Sequence, residues 1–219
     1  MSWFRRCGAW ASVVVLLGCS DATTPAATGQ ILLFIDTDAP LPVAPGSNGE
    51  ARPPALFDHL RVDVSRVDEA PSLDTAVAVQ RDFAVHRGLF EAGPISLGIA
   101  PPAGESGYVA HVRLYRVADA AAGLPALPSS IDTTLRLPVV PATGVVRLLI
   151  TLHVDDTGVA RSDEVPVELA TAPTRSLVGT WPGAATVPCA EAAGVDEACV
   201  PGGAFWMGDP QLRDETDVE

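Results

Sequence analysis

Apolar and polar residues alternate along most of the middle of the chain, and a period of two predicts β-strands. Between residues 60 and 64, Leu60, Val62 and Val64 alternate with Arg61 and Asp63. The inward positions of five further stretches are Val77, Val79, Phe83 and Val85; Ile95, Leu97 and Ile99; Tyr108, Ala110, Val112 and Leu114; Ile131, Thr133, Leu135 and Leu137; and Val146, Leu148, Ile150, Leu152 and Val154. A seventh stretch, residues 31–35, is apolar throughout, which is typical of a central strand.

Turn-forming residues separate these stretches, because the chain contains 20 prolines and 19 glycines. Short alternating strands between such turns are typical of an antiparallel sandwich. Strands of a parallel sheet are usually apolar on both faces, so the alternation argues against parallel pairing. The predicted fold is therefore all-β: an antiparallel, immunoglobulin-like β-sandwich of about seven strands over residues 30–155.

The first 18 residues have the features of an export signal. Arg5 and Arg6 precede an apolar run over residues 9–17, which is much shorter than the ~20 residues of a transmembrane helix. The run ends in Leu16-Leu17-Gly18-Cys19, which resembles the lipobox of bacterial lipoproteins. The resemblance implies cleavage before Cys19 and attachment of lipid to its thiol. The alternative is an ordinary signal peptide with a cysteine nearby.

A lipid on Cys19 would make the membrane a partner of this chain. Residues 19–29 are small and polar, which predicts a flexible tether between the lipid and the body. Ser20 resembles the outer-membrane sorting signal of lipoproteins, whereas Asp21 leaves the inner membrane open. The expected location is the cell envelope, as an outer-membrane lipoprotein.

The charge of the chain excludes several functions. The formal charge is −13, and all 14 basic residues are arginines. A nucleic-acid binder that uses a broad basic surface is excluded, because phosphates need clustered cations. A catalytic lysine is excluded as well. Loss of Arg5 and Arg6 with the signal would lower the charge to −15, so anionic headgroups would repel the body.

The cysteines predict one disulfide. Cys7 lies in the signal and Cys19 would carry lipid, which leaves Cys189 and Cys199. In an oxidising compartment these two most simply bond to each other. A metal or redox site would favour CxxC spacing or a nearby histidine, and neither occurs, so no metal or cofactor is expected.

Strand-end carboxylates offer a second possible site. Asp36 and Asp38 follow the first strand, and Asp155 and Asp156 follow the last. Together they would supply the oxygen ligands that Ca²⁺ prefers. Aspartate is also common at strand ends for its turn-forming side chain, and this structural role is favoured.

The histidines have no metal-binding spacing. They are His59, His86, His111 and His153, without an HxH, HxxxH or HExxH pattern. His111 and His153 fall on the polar sides of their strands, which predicts solvated imidazoles.

The C-terminal part begins as a polar stretch, residues 156–188, which predicts a linker with one added strand around Val165–Leu169. Residues 189–219 then contain Val200-Pro201-Gly202-Gly203-Ala204-Phe205-Trp206-Met207-Gly208-Asp209. This stretch resembles the opening of the formylglycine-generating, or sulfatase-modifying-factor, domain. The residues that carry the resemblance are Pro201, Gly202, Gly203, Phe205, Met207 and Gly208.

This resemblance implies a domain start that is cut short. The family's copper(I)-binding catalytic cysteines lie far downstream of this motif, and nothing in this chain corresponds to them. Cys189 and Cys199 precede the motif and do not take that role. No catalytic residue is therefore expected in the chain as it stands.

Three functions remain open. The first is a lipid-anchored exported protein with a non-catalytic sandwich and an incomplete sulfatase-modifying-factor-like C-terminus. The second is a stand-alone surface binding or adhesion module. The third is the N-terminal part of a formylglycine-generating-type enzyme whose catalytic half is missing. The protein or glycan ligand of the sandwich stays open.

Overall fold

The computed structural model describes residues 29–44, 46, 54–66, 79–100, 104, 106–120, 124–189 and 198–204. Within these residues the chain forms nine strands: β1 Gln30–Thr37, β2 His59–Arg66, β3 Val79–Ala84, β4 Ile95–Ile99, β5 Tyr108–Tyr115, β6 Ser130–Arg136, β7 Val145–Leu152, β8 Ala160–Glu164 and β9 Val167–Leu169. The helical elements of the described part are short 3₁₀ turns: Arg87–Phe90, Val117–Asp119, Leu127–Ser129, Val154–Asp156 and Pro182–Ala184. None of its helices has the length and apolarity that crossing a membrane requires.

The strands form two sheets. Sheet A has the order β4-β1-β7-β9, and sheet B has the order β3-β2-β5-β6-β8. The all-β class, the sandwich-like arrangement and the seven predicted strands, β1 to β7, are confirmed. The predicted Val77 lies outside the described residues.

Both sheets are mixed, so the prediction of antiparallel pairing throughout is wrong. β1 runs parallel to β7, with Leu33 opposite Leu148, and β6 runs parallel to β8. The physical reason is visible in β1, whose apolar run Ile31–Ile35 makes the strand buried on both faces. A strand of that kind suits a central position with a parallel neighbour.

The core lies between the sheets and follows the alternation. Sheet A contributes Ile31, Leu33, Ile35, Ile99, Leu148, Ile150 and Leu152, and sheet B contributes Leu60, Val62, Val64, Ala110, Val112, Leu114, Ile131 and Leu135. Leu41, Phe57, Val85, Phe90 and Leu137 from loops extend this cluster. Burying such side chains is worth about 1.5–3 kcal/mol each, so the alternating positions stabilise both sheets at once.

The range predicted to be a linker contains two strands that join the sheets. β8 pairs with β6 in sheet B, and β9 pairs antiparallel with β7 in sheet A. Residues 170–184, called the return segment here, then contact the end of β1 and the residues that follow it. Trp181 of this segment donates its backbone N–H to the Asp38 carbonyl, and Gly179 donates to that of Ala39.

Candidate functional site

The outward side of sheet B carries a row of charged and polar side chains, called the polar face. Its members are Arg61, Asp63, Asp82, His111, Arg113, Tyr115 and Asp132. Strand register brings them together, because Arg61 lies opposite both Asp82 and Arg113. Arg113 in turn lies opposite Asp132, and Asp63 lies opposite His111.

Asp63 lies at the centre of the polar face. Arg61 donates from Nε to Asp63 Oδ2 over 2.9 Å, and Arg113 donates from Nη2 to the same oxygen. All three side chains are largely buried, with 13–14% of their surface exposed. Among the described residues, Asp63 Oδ1 and Arg113 Nε are buried without a hydrogen-bond partner. One carboxylate therefore separates two nearly buried cations.

Tyr115 and Asp82 form a second pair. The tyrosine hydroxyl donates to Asp82, with oxygen distances of 2.9 and 3.0 Å. Burial, and then the hydrogen bond to Asp82, raises the pKa of Tyr115 to about 12. Arg61 Nη1 lies 3.7 Å from Asp82 Oδ2, which joins this pair to the Asp63 cluster.

Three of the histidines contact carboxylates. His111 Nε2 lies 2.6 Å from Asp132 Oδ1, and His59 Nδ1 lies 2.9 Å from Asp58 Oδ1. His153 Nδ1 lies 2.9 Å from Asp38 Oδ2. The two imidazoles predicted to be solvated, on His111 and His153, are 35% and 48% exposed, so both reach solvent, and each also contacts a carboxylate.

Asp36 anchors the return segment to sheet A. Its buried carboxylate accepts hydrogen bonds from the Ser176 hydroxyl, from the Leu177 backbone N–H at 3.0 Å and from the Thr37 backbone N–H at 2.9 Å. Three donors satisfy a buried carboxylate, which would otherwise carry a large desolvation cost. Asp36 therefore fastens two regions that lie about 140 residues apart in sequence.

The other strand-end carboxylates hold neighbouring groups in place. Asp38 accepts from the Val154 N–H, and Asp155 accepts from Trp181 Nε1, each over 2.9 Å. Asp156 contacts Arg161 Nε at 3.2 Å. The described residues contain no group of three or more metal-ligating side chains. The structure therefore does not support the hypothesis that these carboxylates gather around Ca²⁺.

The C-terminal motif is described only over its first residues. Cys189 and Cys199 form a disulfide whose Cα atoms lie 6.1 Å apart. Val187 and Gly202 exchange two backbone hydrogen bonds of 2.9 Å. Gly203 has a φ of +130°, which an L residue with a side chain rarely adopts. The predicted sites at Cys19, Phe205, Met207 and Gly208 lie outside the described residues.

The polar face was not found by sequence reasoning, although Arg61, Asp63 and His111 were placed on the polar sides of their strands. The sequence does not give the register between strands. Arg61, Asp63 and Arg113 meet only because two strands about 50 residues apart in sequence pair with each other. Charge balance between alternating outward positions was the only signal in the sequence. It indicates a solvated face, whereas the structure shows a largely buried ion-pair cluster.

The chemistry of the polar face is that of hydrogen bonding. Asp63 and Asp82 face arginines, and Asp132 faces His111. Tyr115, with its pKa raised to about 12, stays protonated near neutral pH and serves as a donor.

Comparison of the chain with protein families, curated proteins and solved structures finds no match in any of them.

Proposed function

We propose that this chain is an exported, lipid-anchored envelope protein whose sandwich is a non-catalytic module. The observation that carries the proposal is the disulfide between Cys189 and Cys199. Disulfides persist in oxidising compartments and are rare in the bacterial cytosol. The lipobox Leu16-Leu17-Gly18-Cys19 and the polar tether after it supply the anchor in this proposal.

The non-catalytic role is supported by the polar face. A side-chain nucleophile is activated by a lowered pKa or by an adjacent general base, whereas the pKa of Tyr115 in this cluster is raised to about 12. Asp63 is held between two arginines, Asp82 accepts from Tyr115, and Asp132 lies against His111. These pairs stabilise an outer surface and leave no activated nucleophile within this cluster.

A second candidate function is the N-terminal part of a formylglycine-generating-type enzyme. The feature that favours it is the resemblance of residues 200–209 to the opening of that domain, within which Gly202 forms an antiparallel bridge with Val187. The bridge and the disulfide fix the Pro201-Gly202-Gly203 turn beside the end of the return segment. In this candidate, the sandwich would carry the catalytic domain away from the membrane.

Lipid labelling tests the anchor. Cells that express the chain with radiolabelled palmitate should yield a labelled, membrane-bound protein. The variant Cys19→Ala should lose all label and stay uncleaved, because the lipid and the cleavage both require this thiol. Cys7→Ala is the matched control and should be labelled like the parent. Normal processing of Cys19→Ala would show an ordinary signal peptide and reject the lipid anchor.

A separate assay tests whether the chain is catalytic. The purified chain should not convert a cysteine-containing sulfatase peptide to the formylglycine product, which mass spectrometry detects as an aldehyde. A titration against a chelator should show no tight copper(I) binding, because soft thiolates are the ligands of this ion and Cys189 and Cys199 are bonded to each other. Turnover would reject the non-catalytic proposal.

Reading the coding DNA past codon 219 separates the sulfatase-modifying-factor lineage from a stand-alone surface binding or adhesion module. Continuation into more of the sulfatase-modifying-factor pattern would favour the enzyme lineage. A stop followed by unrelated sequence would favour the stand-alone module.

A further inference from the structure

Strand β4 is an edge of sheet A that differs from the other sheet edges of the described part. Every second residue of an edge strand directs its N–H and C=O away from its neighbour, so these groups can pair with another strand. Within the described residues, β4 pairs on one side with β1, from Ile31 opposite Ile99 to Ile35 opposite Ile95. None of the other strands that the structure describes pairs with its second side.

The other three edges carry charged side chains, and β4 does not. β3 contains Arg81 and Asp82, and β9 contains Glu168. β8 contains Arg161 and Glu164. Natural sheets use such charges to prevent pairing with other chains. β4 has the sequence ISLGI, with Ser96 and Gly98 exposed and no charge.

An apolar depression of about 470 Å³ adjoins the first half of β4. It is lined by Phe34, Phe83, Leu89, Ala92, Gly93, Pro94, Ile95, Ser96, Ala172 and Pro173. Leu89 in this lining is 43% exposed, although it is a large apolar side chain. The depression is therefore placed to receive a side chain from a strand that pairs with β4.

We propose that the β4 edge binds an extended peptide segment of another protein by strand addition, with one apolar side chain of that peptide in the adjoining depression. Backbone pairing would supply affinity, and the depression would supply selectivity for the side chain. This inference goes beyond the proposed anchoring and does not depend on it, since it rests on the sandwich alone.

Charge favours a different protein over a second copy of this chain. A formal charge of −13 on each copy opposes edge-to-edge association of two copies. A basic peptide is attracted by the same field. The partner we infer is therefore an extended, basic segment with an aromatic or branched apolar residue.

Fluorescence anisotropy tests the proposal with the purified full chain in solution. The probe is a labelled synthetic peptide of sequence KTVTFTVTK, which alternates like a strand and has basic ends. A matched peptide with all internal amides N-methylated keeps the side chains and loses the donors. We expect the first peptide to bind, the methylated peptide to bind at least about tenfold more weakly, and alternate amides of Ile95–Ile99 to exchange more slowly in the complex.

Two pairs of variants locate the site. Leu89→Ser should weaken binding about tenfold, whereas Val159→Ser, an exposed apolar position before the opposite edge of sheet B, should leave it unchanged. Gly98 has open space where a Cβ would be, so Gly98→Lys should weaken binding by adding an edge charge, and Gly98→Thr should preserve it.

Several results would overturn the proposal. Absence of peptide binding would do so directly. Equal binding of the methylated peptide would show a side-chain or small-ligand pocket without strand addition. A dimer in sedimentation, with β4 amides protected before peptide is added, would identify a second copy as the occupant.

Discussion

The outer faces of the two sheets make different kinds of contact. On sheet B, the polar face covers itself with ion pairs, and Asp63 is shared by Arg61 and Arg113. On sheet A, Phe34 is buried although it points away from the core, and Asp36 beside it is bound by the return segment. Paired side chains cover the outer face of sheet B, whereas the return segment is fastened to the end of β1 in sheet A.

This difference teaches where each face is vulnerable. Charge pairs on sheet B depend on local register, so loss of one carboxylate leaves buried cations uncompensated. The attachment of the return segment to sheet A depends on a few long-range hydrogen bonds, so loss of its anchor should release a whole segment. The β4 edge is the exposed and uncharged boundary of sheet A.

Asp63→Ala should have the largest effect on stability among these changes. Two largely buried arginines would lose the oxygen that both contact, so the free energy of unfolding should fall by about 3 kcal/mol. Urea unfolding measures this loss. Ser65→Ala, two positions along the same strand, is the control and should change stability by less than about 0.5 kcal/mol. A loss for Asp63→Ala below about 1 kcal/mol would contradict a buried ion-pair cluster.

Asp36→Ala should lower stability by about 2 kcal/mol and act mainly on sheet A. The Ser176 hydroxyl and the Leu177 N–H would lose their acceptor, which costs free energy when donors are buried. Hydrogen exchange should become faster at Leu177 and Val178, and the amides of β5 should change little. Glu168→Ala, an exposed carboxylate on β9, is the control. Uniform acceleration across both sheets would show that the anchor is not local.

Tyr115→Phe should cost about 1 kcal/mol near neutral pH, because the hydrogen bond to Asp82 is lost. The folded pKa of Tyr115 is about 12 and its ordinary value is 10.0, so the folded protein retains this proton longer than the unfolded chain. Stability from this group is complete below about pH 10 and is lost as the pH rises toward 12.

Unfolding curves of both proteins at several pH values measure this dependence. The parent protein should lose more stability than Tyr115→Phe between about pH 10 and 12. Parallel losses in the two proteins would show that the tyrosine hydroxyl does not titrate as its surroundings require.

His111→Ala should have the smallest effect, about 0.5 kcal/mol or less. The imidazole is 35% exposed, and partly exposed ion pairs contribute little to stability. Thermal unfolding should show a shift of about 2 °C or less for a chain of this size. A much larger shift would place His111 within the stabilising part of the polar face, together with Asp63.

Much of the fold follows from the sequence in physical terms. Alternation is a local property of a strand, so it gives the positions and inward faces of β2 and of β4 to β7 without knowledge of their neighbours. β8 and β9 were harder, since they are short edge strands with exposed residues such as Val167. Their strand form depends on pairing with β6 and β7.

The candidate sites also have a part that the sequence predicts and a part that it does not. Cys189 and Cys199 could be paired by elimination, because the proposed signal and lipid anchor would use the other two cysteines. The strand-end aspartates could be located, and their turn-forming role was favoured. Their actual donors, such as Ser176 for Asp36, come from a segment that the sequence presents only as polar.

The sequence by itself determined the positions of the seven strands β1 to β7, the core residues on their inward faces, the acidic charge and the cysteine pair, because each follows from residue type and local spacing. The tertiary structure decided the parallel pairing of β1 with β7, the meeting of Arg61 and Arg113 at Asp63, and the anchoring of the return segment by Asp36. These contacts join parts of the chain that lie far apart in sequence. The residues that meet in these contacts are fixed only when both sheets bury their inner faces against each other. They therefore cannot be deduced from the spacing of residues in the sequence.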